Sequence, residues 1–172
     1  PQGILASVQQ RATSLADLKN FQRGAAIIAP QDPGNVGTIL RTLDAVGADG
    51  LILLDGGVDV YHPKVVRASM GALFWKPIAR TTFDDFLVWT EENALKRIGT
   101  SARGTSDFAS LQEDMKNWIL LLGSEQKGLS FEQVAACDAL LSLPMRGRGT
   151  SLNLAVAAGI LLYGLTEKTA RV

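Results

Sequence analysis

A chain of 172 residues, 47% of them hydrophobic, suits one compact domain that hides roughly 70% of its unfolded surface, so a single core suffices. Seventeen basic residues balance seventeen acidic ones, which excludes a chain-wide cationic field and leaves any nucleic-acid contact to a local patch. A lone cysteine, Cys137, excludes a disulfide framework and a zinc site, and neither a bilayer-spanning apolar run nor a signal-peptide pattern is present, so a soluble protein of the reducing cytoplasm is expected.

Residues 7–22 read as a helix or a helix-like arm, and 25–29 as a strand stopped by Pro30. The turn Asp32-Pro33-Gly34 opens a helix in which Val36, Ile39, Leu40, Leu43 and Val46 recur at helical spacing. Gly47 suits its C-terminal end, and Gly50 to Leu54 follows as a fully buried strand, completing a β-α-β unit. Further along, 63–73 reads as a helix, 77–80 as a strand, 83–93 as a helix and 97–101 as a strand. Trp118 to Leu122 is the clearest strand of all; 131–136 is a short helix, 139–143 a last strand and 151–165 a long closing helix. Strand and helix alternate throughout, which argues for a three-layered α/β domain whose sheet is mostly parallel, with helices on both faces.

Three junctions, each following a strand, carry glycine and polar residues: 35–41, 123–129 and 144–153. An open α/β sheet offers ligands the crevice at the carboxyl ends of its strands, where such junctions gather. Common signatures fail there. In Gly123-Ser-Glu-Gln-Lys127-Gly128 no Ser or Thr follows the lysine to hold magnesium, which argues against a nucleoside triphosphatase. Gly147-x-Gly149 follows the last strand rather than the first, against a dinucleotide fold, and Gly149 to Asn153 lacks the closing glycine of a nucleophile elbow. His62 is the only histidine and its Tyr-His-Pro setting gives a Ser-His-Asp triad no support.

Together the junctions resemble the motifs of the SpoU (TrmH) class of RNA 2′-O-ribose methyltransferases, within the knotted SPOUT superfamily. The first motif is Asn35 to Arg41 running on through Gly47, the second Leu122 to Glu125 with Gly128-Leu129, and the third Leu143-Pro144-Met145 with Ser151-Leu152-Asn153. His62 to Ala72 is similar to the segment between the first two motifs, so the likeness covers roughly residues 23–167 in the expected order.

The resemblance implies a deep C-terminal trefoil knot and S-adenosylmethionine as methyl donor, leaving as S-adenosylhomocysteine, with no metal. Residues 1–22 would be an arm and 23–172 the methyltransferase domain. The donor would be held by Leu122, Gly123, Glu125, Gly128, Leu143, Pro144, Met145, Ser151, Leu152 and Asn153, mainly through main-chain groups with apolar walls. Asn35, Arg41, Glu125, Ser151 and Asn153 carry over as catalytic residues, with Glu125 expected to hold Asn35 or Asn153. Two roles stay open for Arg41: proton acceptor for the ribose hydroxyl, or anchor for phosphate and ribose, the second being easier for a group that stays protonated. RNA is the implied partner, ribosomal favoured over transfer RNA. A homodimer is implied too, its closing helices near a two-fold axis and Arg41 serving the partner's pocket.

Single residues have plainer readings. Asn35 and Ser151 suit helix N-caps, Arg41 a solvated helix position, Glu125 a loop acid and Met145 a core filler. Their order and company favour the site. Lys64, Arg67, Arg146 and Arg148 stand equally as RNA contacts and as solvated charge, while Trp75, Trp89 and Trp118 are expected in the core or an interface. The neutral charge balance and the start at Pro1 raise the expectation of a further N-terminal RNA-binding domain in a longer protein. A base-nitrogen methyltransferase of the same fold and a non-catalytic RNA-binding module are the competing readings.

Overall fold

The computed structural model describes residues 3, 7–10, 13–101, 111 and 115–169. Six strands, β1 (Arg23–Ile28), β2 (Gly50–Leu54), β3 (Ile78–Thr81), β4 (Lys96–Thr100), β5 (Trp118–Leu122) and β6 (Ala139–Leu141), form one sheet in the order β3-β2-β1-β5-β4-β6. All five pairings are parallel. Sheets of this kind are covered on both faces, which is why β2 and β5 are apolar and buried at every position.

The period-two alternation of each strand divides its side chains between two cores. Ala25, Ile27, Leu51, Leu53, Leu120 and Leu122 face the layer of α1 (Pro33–Ala45) and α5 (Leu154–Thr169). Ala26, Ile28, Ile52, Leu54, Ile119 and Leu121 face α3 (Phe83–Glu92), where Phe83, Phe86 and Trp89 close the second core. Two shorter helices complete the layers, α2 (Pro63–Ala68) against α1 and α4 (Phe131–Ala135) after β5.

Local chemistry sets the helix ends. Asp32 caps α1 by accepting from the Gly34 N–H at 2.8 Å, with Pro33 at the first helical position, and Gly47 follows the last turn at φ 71°. Gly37 lets α2 come close: a Cβ there would stand 2.7 Å from both the Ala68 Cβ and the Val65 carbonyl oxygen. His62 caps α2, its Nδ1 accepting from the Lys64 N–H at 3.1 Å.

Several expected elements change. The helix read over 63–73 ends at Ala68, because Met70 and Gly71 turn left-handed (φ 50° and 98°) before a short 3-10 turn at Ala72–Phe74. The closing helix begins at Leu154, since Asn153 and not Ser151 supplies its cap. Among the described residues of 7–22 the only helical piece is the 3-10 turn Leu15–Asp17; Leu18 and Phe21 bury against the second core instead. Residues 1, 2, 4–6, 11 and 12 of the expected arm lie outside the described residues. No helix of the described residues is long and apolar enough to cross a membrane.

Candidate active site

The chain runs from β1 leftward to β2 and β3, then returns past β1 to build β4, β5 and β6, so the connections diverge between β1 and β5. Above that divide, at the carboxyl ends, lies a cleft of about 920 Å³, a size typical of small-molecule sites.

A line of hydrogen bonds ties its three junctions together. The Glu125 carboxylate, in the loop after β5, accepts from the backbone N–H groups of Gln31 (3.2 Å) and Asp32 (3.3 Å) and from Asn35 Nδ2 (3.3 Å). Asn35, buried in the first turn of α1, then accepts at Oδ1 from Asn153 Nδ2 at 2.9 Å. Asn153 in turn caps α5, its Oδ1 accepting from the N–H groups of Ala155 (2.9 Å) and Val156 (3.3 Å). Each asparagine donates with its amide nitrogen and accepts with its oxygen, a double use that neither Asp nor Leu can reproduce.

One wall is the loop 123–129. Gly128 donates its N–H to the Ser124 carbonyl at 2.9 Å, and the chain folds back so tightly that a Cβ on Gly123 would lie 2.2 Å from the Gly128 carbonyl carbon. The opposite wall is Leu143, Met145 and the stretch 150–154, with an apolar floor of Leu129, Leu141, Ala157 and Leu161. Thr100 and Ser101 add polar rim at the end of β4. Apolar floor and main-chain edges together suit a flat organic ligand bearing polar groups at its margin.

Of the expected donor-binding residues, Gly123, Glu125, Gly128, Leu143, Met145, Ser151, Leu152 and Asn153 line the cleft. Leu122 and Pro144 do not: Leu122 points into the core under α1 and α5, and Pro144 is exposed on the loop. Asn35 is not an N-cap but the third residue of the first turn of α1, and Ser151 lines the cleft without capping α5. Thr100, Ser101 and Leu161 were not expected there; Thr100 and Ser101 were traceable, as residues closing a strand that ends on the crevice.

Arg41 lies outside the cleft of its own chain. Six residues beyond Asn35 it has moved about 240° around the helix axis, and its exposed side chain makes no hydrogen bond or ion pair with any described residue. Lys64 and Arg67 are exposed on α2, and Arg146 and Arg148 are exposed on the loop before α5. Among the described residues no three His, Cys, Asp or Glu side chains gather as a metal site.

Residues 25–163 match the model of the SpoU rRNA Methylase family. The chain belongs to that family. Over 165 residues this SpoU chain is 32% identical to the 23S rRNA (guanosine(2553)-2′-O)-methyltransferase RlmP of Bacillus subtilis, covering 96% of itself and 65% of RlmP. The structure of an AdoMet-bound rRNA methyltransferase from Sinorhizobium meliloti superposes with a TM-score of 0.86 at 38% identity, over 92% of this chain and 62% of that one. The SpoU methyltransferase AviRb of Streptomyces viridochromogenes, in complex with AdoMet, gives 0.86 at 34% identity, over 94% and 64%. The SpoU chain therefore spans about 60% of the length of these relatives.

Proposed function

We propose that this chain is the catalytic unit of an S-adenosylmethionine-dependent methyltransferase acting on the ribose 2′-hydroxyl of structured RNA, ribosomal rather than transfer. The observation that carries the reading is the Glu125–Asn35–Asn153 line, which binds three motif junctions into one cleft in a chain of the SpoU family. Names of the relatives support ribosomal RNA, since RlmP acts on 23S rRNA.

The cleft fits the donor by its chemistry. Its apolar floor suits an adenosine body, and the main-chain edges of 123–128 and 150–153 suit the hydroxyl and ring-nitrogen margin. When bound, S-adenosylmethionine supplies a methyl group on a cationic sulfur. Asn35, Asn153 and Glu125 hold the junctions at fixed separation, so the site's contribution is orientation of the two reactants. Ser151 organises the mouth from the third junction. Arg41 offers a planar fork of N–H donors and no acceptor, so it serves as the grip on the target phosphate and ribose rather than as a proton acceptor.

Because Arg41 is outside its own cleft, this reading places it at the cleft of a second subunit. Val156, Ile160 and Tyr163 support a homodimer: they lie along one face of α5 and are 51%, 47% and 52% exposed. A trefoil knot belongs to the same reading, supported by the return of the chain from the edge strand β6 to pack α5 against α1 and β5. So do the division into an arm (1–22) and a catalytic unit (23–172), a cytoplasmic location, and a further RNA-binding domain that adds positive charge this neutral chain lacks.

The test is transfer of labelled methyl from S-adenosylmethionine to rRNA and tRNA fragments, followed by nucleoside analysis. Label in a 2′-O-methyl nucleoside of rRNA is the expected result. Label on a base nitrogen, or donor binding with no transfer to any RNA, would overturn it.

A further inference from the structure

The three tryptophans here differ sharply. Trp118 is 0% and Trp89 7% exposed, whereas Trp75 is 59% exposed. Beside it in sequence, Met70 is 68% and Phe74 54% exposed, so three large apolar side chains share one short turn between α2 and β3. Of the core or interface expected for Trp75, the core has not claimed it.

Its ring is nevertheless held. The indole Nε1 donates to Asp44 Oδ1 on α1 at 2.8 Å, and the same oxygen meets the Lys76 ammonium at 3.4 Å. The ring also lies over Gly71, where a Cβ would stand 3.0 Å from it. A non-glycine residue, Met70, accepts a left-handed φ of 50° in the bend that builds this surface. An oriented aromatic face loses little freedom when another ring covers it.

Arg41 belongs to the same surface. On α1 it stands one turn after Gly37, which packs on Ala68, and three residues before Asp44, which bonds Trp75. Lys64 and Arg67 are exposed on α2, the helix that leads into the turn bearing Trp75, and none of the three cations has a side-chain partner among the described residues. Asp44 is already engaged by Lys76. Exposed cations on the two helices joined to this turn, together with an exposed aromatic face, match a nucleic-acid strand, with phosphates on the charges and a base on the ring.

We propose that Trp75, flanked by Met70 and Phe74, is a stacking platform for an unpaired base of the RNA substrate, positioning the strand beside Arg41. The proposal rests on the RNA-methylation reading.

The test uses the 172-residue chain and a roughly ten-nucleotide single-stranded RNA, followed by tryptophan emission and by anisotropy of a labelled copy. Saturating RNA quenches the solvent-exposed emission of the unmodified chain. Trp75→Ala weakens RNA binding by roughly five- to a hundred-fold, the range of base–aromatic stacking, while Trp75→Phe restores affinity without the quenching. Donor affinity, measured by calorimetry, is the same in all three. Unaltered RNA affinity in Trp75→Ala, or no emission change at saturation, overturns the platform. So does a loss of affinity that follows conversion of a dimer to monomers by sedimentation, which would make this surface a protein interface. A chain that neither binds donor nor transfers methyl defeats the functional reading itself; a chain that methylates equally well with and without Trp75 defeats only the platform.

Discussion

The two glycine-bearing walls of the cleft look alike in sequence and are opposites in structure. In the loop after β5, Gly123 is wedged against Gly128 and Leu129, and Gly128 turns at φ 67°. In the loop before α5, every residue from Pro144 to Asn153 is exposed, and a Cβ on Gly147 would meet nothing within 4 Å. Glycine serves close packing in one wall and leaves space in the other. The first wall is therefore built before any ligand arrives, and the second is the one free to adapt.

Gly123→Ala should have the largest effect. Its Cβ would lie 2.2 Å from backbone carbon and 2.4 Å from the Leu129 nitrogen, so no side-chain adjustment can relieve it. A loss of about 3 kcal/mol or more in denaturant unfolding is expected, with donor binding abolished. The mechanism is displacement of the 123–129 loop, not a side chain entering the cleft. A variant of normal stability would show that this wall can move after all.

Cys137 reports on the same wall from behind. Its Sγ is 2.6 Å from where a Gly99 Cβ would be, a Leu129 methyl is 3.1 Å from the same point, and the thiol donates to the Gln133 carbonyl at 3.1 Å. Burial pushes its thiol up to about 11. At pH 8 the thiolate should be scarcer than in an open cysteine by roughly a hundred-fold, and alkylation slower in proportion. The rate should climb as pH rises toward 11, since only the deprotonated form reacts. Fast labelling near neutral pH would mean that the wall opens.

Asn153→Ala acts at the joint between the walls. It removes the cap of α5 and leaves the buried Asn35 oxygen without its donor. Together these should cost about 2 kcal/mol. The double variant Asn35→Ala with Asn153→Ala should cost less than the two single losses summed, because the pair shares one bond, and a double-mutant cycle measures the coupling. Strict additivity would dissolve the proposed line from Glu125 to α5.

What the sequence made legible follows the same divide. β2 and β5 have the expected bounds because a continuous run of buried apolar residues admits little else. The cap of α5 was assigned two residues early, since Ser151 and Asn153 are equally good caps and only the contact with Asn35 chooses between them. The 63–73 helix was overextended because nothing in its periodicity announces that Met70 will turn left-handed. Asn35, Glu125 and Asn153, separated by 90 and 118 positions along the chain, were brought together only through motif likeness. Arg41 joined them by that likeness too, but helical phase carries it to another surface.

The smallest effect is expected in the exposed loop. Neither Gly147 nor Gly149 has a left-handed φ; the nearest atom to a new Cβ is the Met145 methyl, 3.8 Å from Gly149, an ordinary contact. Alanine at either position restricts the unfolded chain more than the folded one, so stability should stay level or rise by about 0.4–1 kcal/mol. Donor affinity should change little if the loop already rests in its binding conformation. A rise in affinity with the stiffer loop would show that ordering this wall is part of the cost of binding. A fall in stability of more than about 1 kcal/mol would instead give this loop packing like that around Gly123, and the contrast between the two walls would be lost.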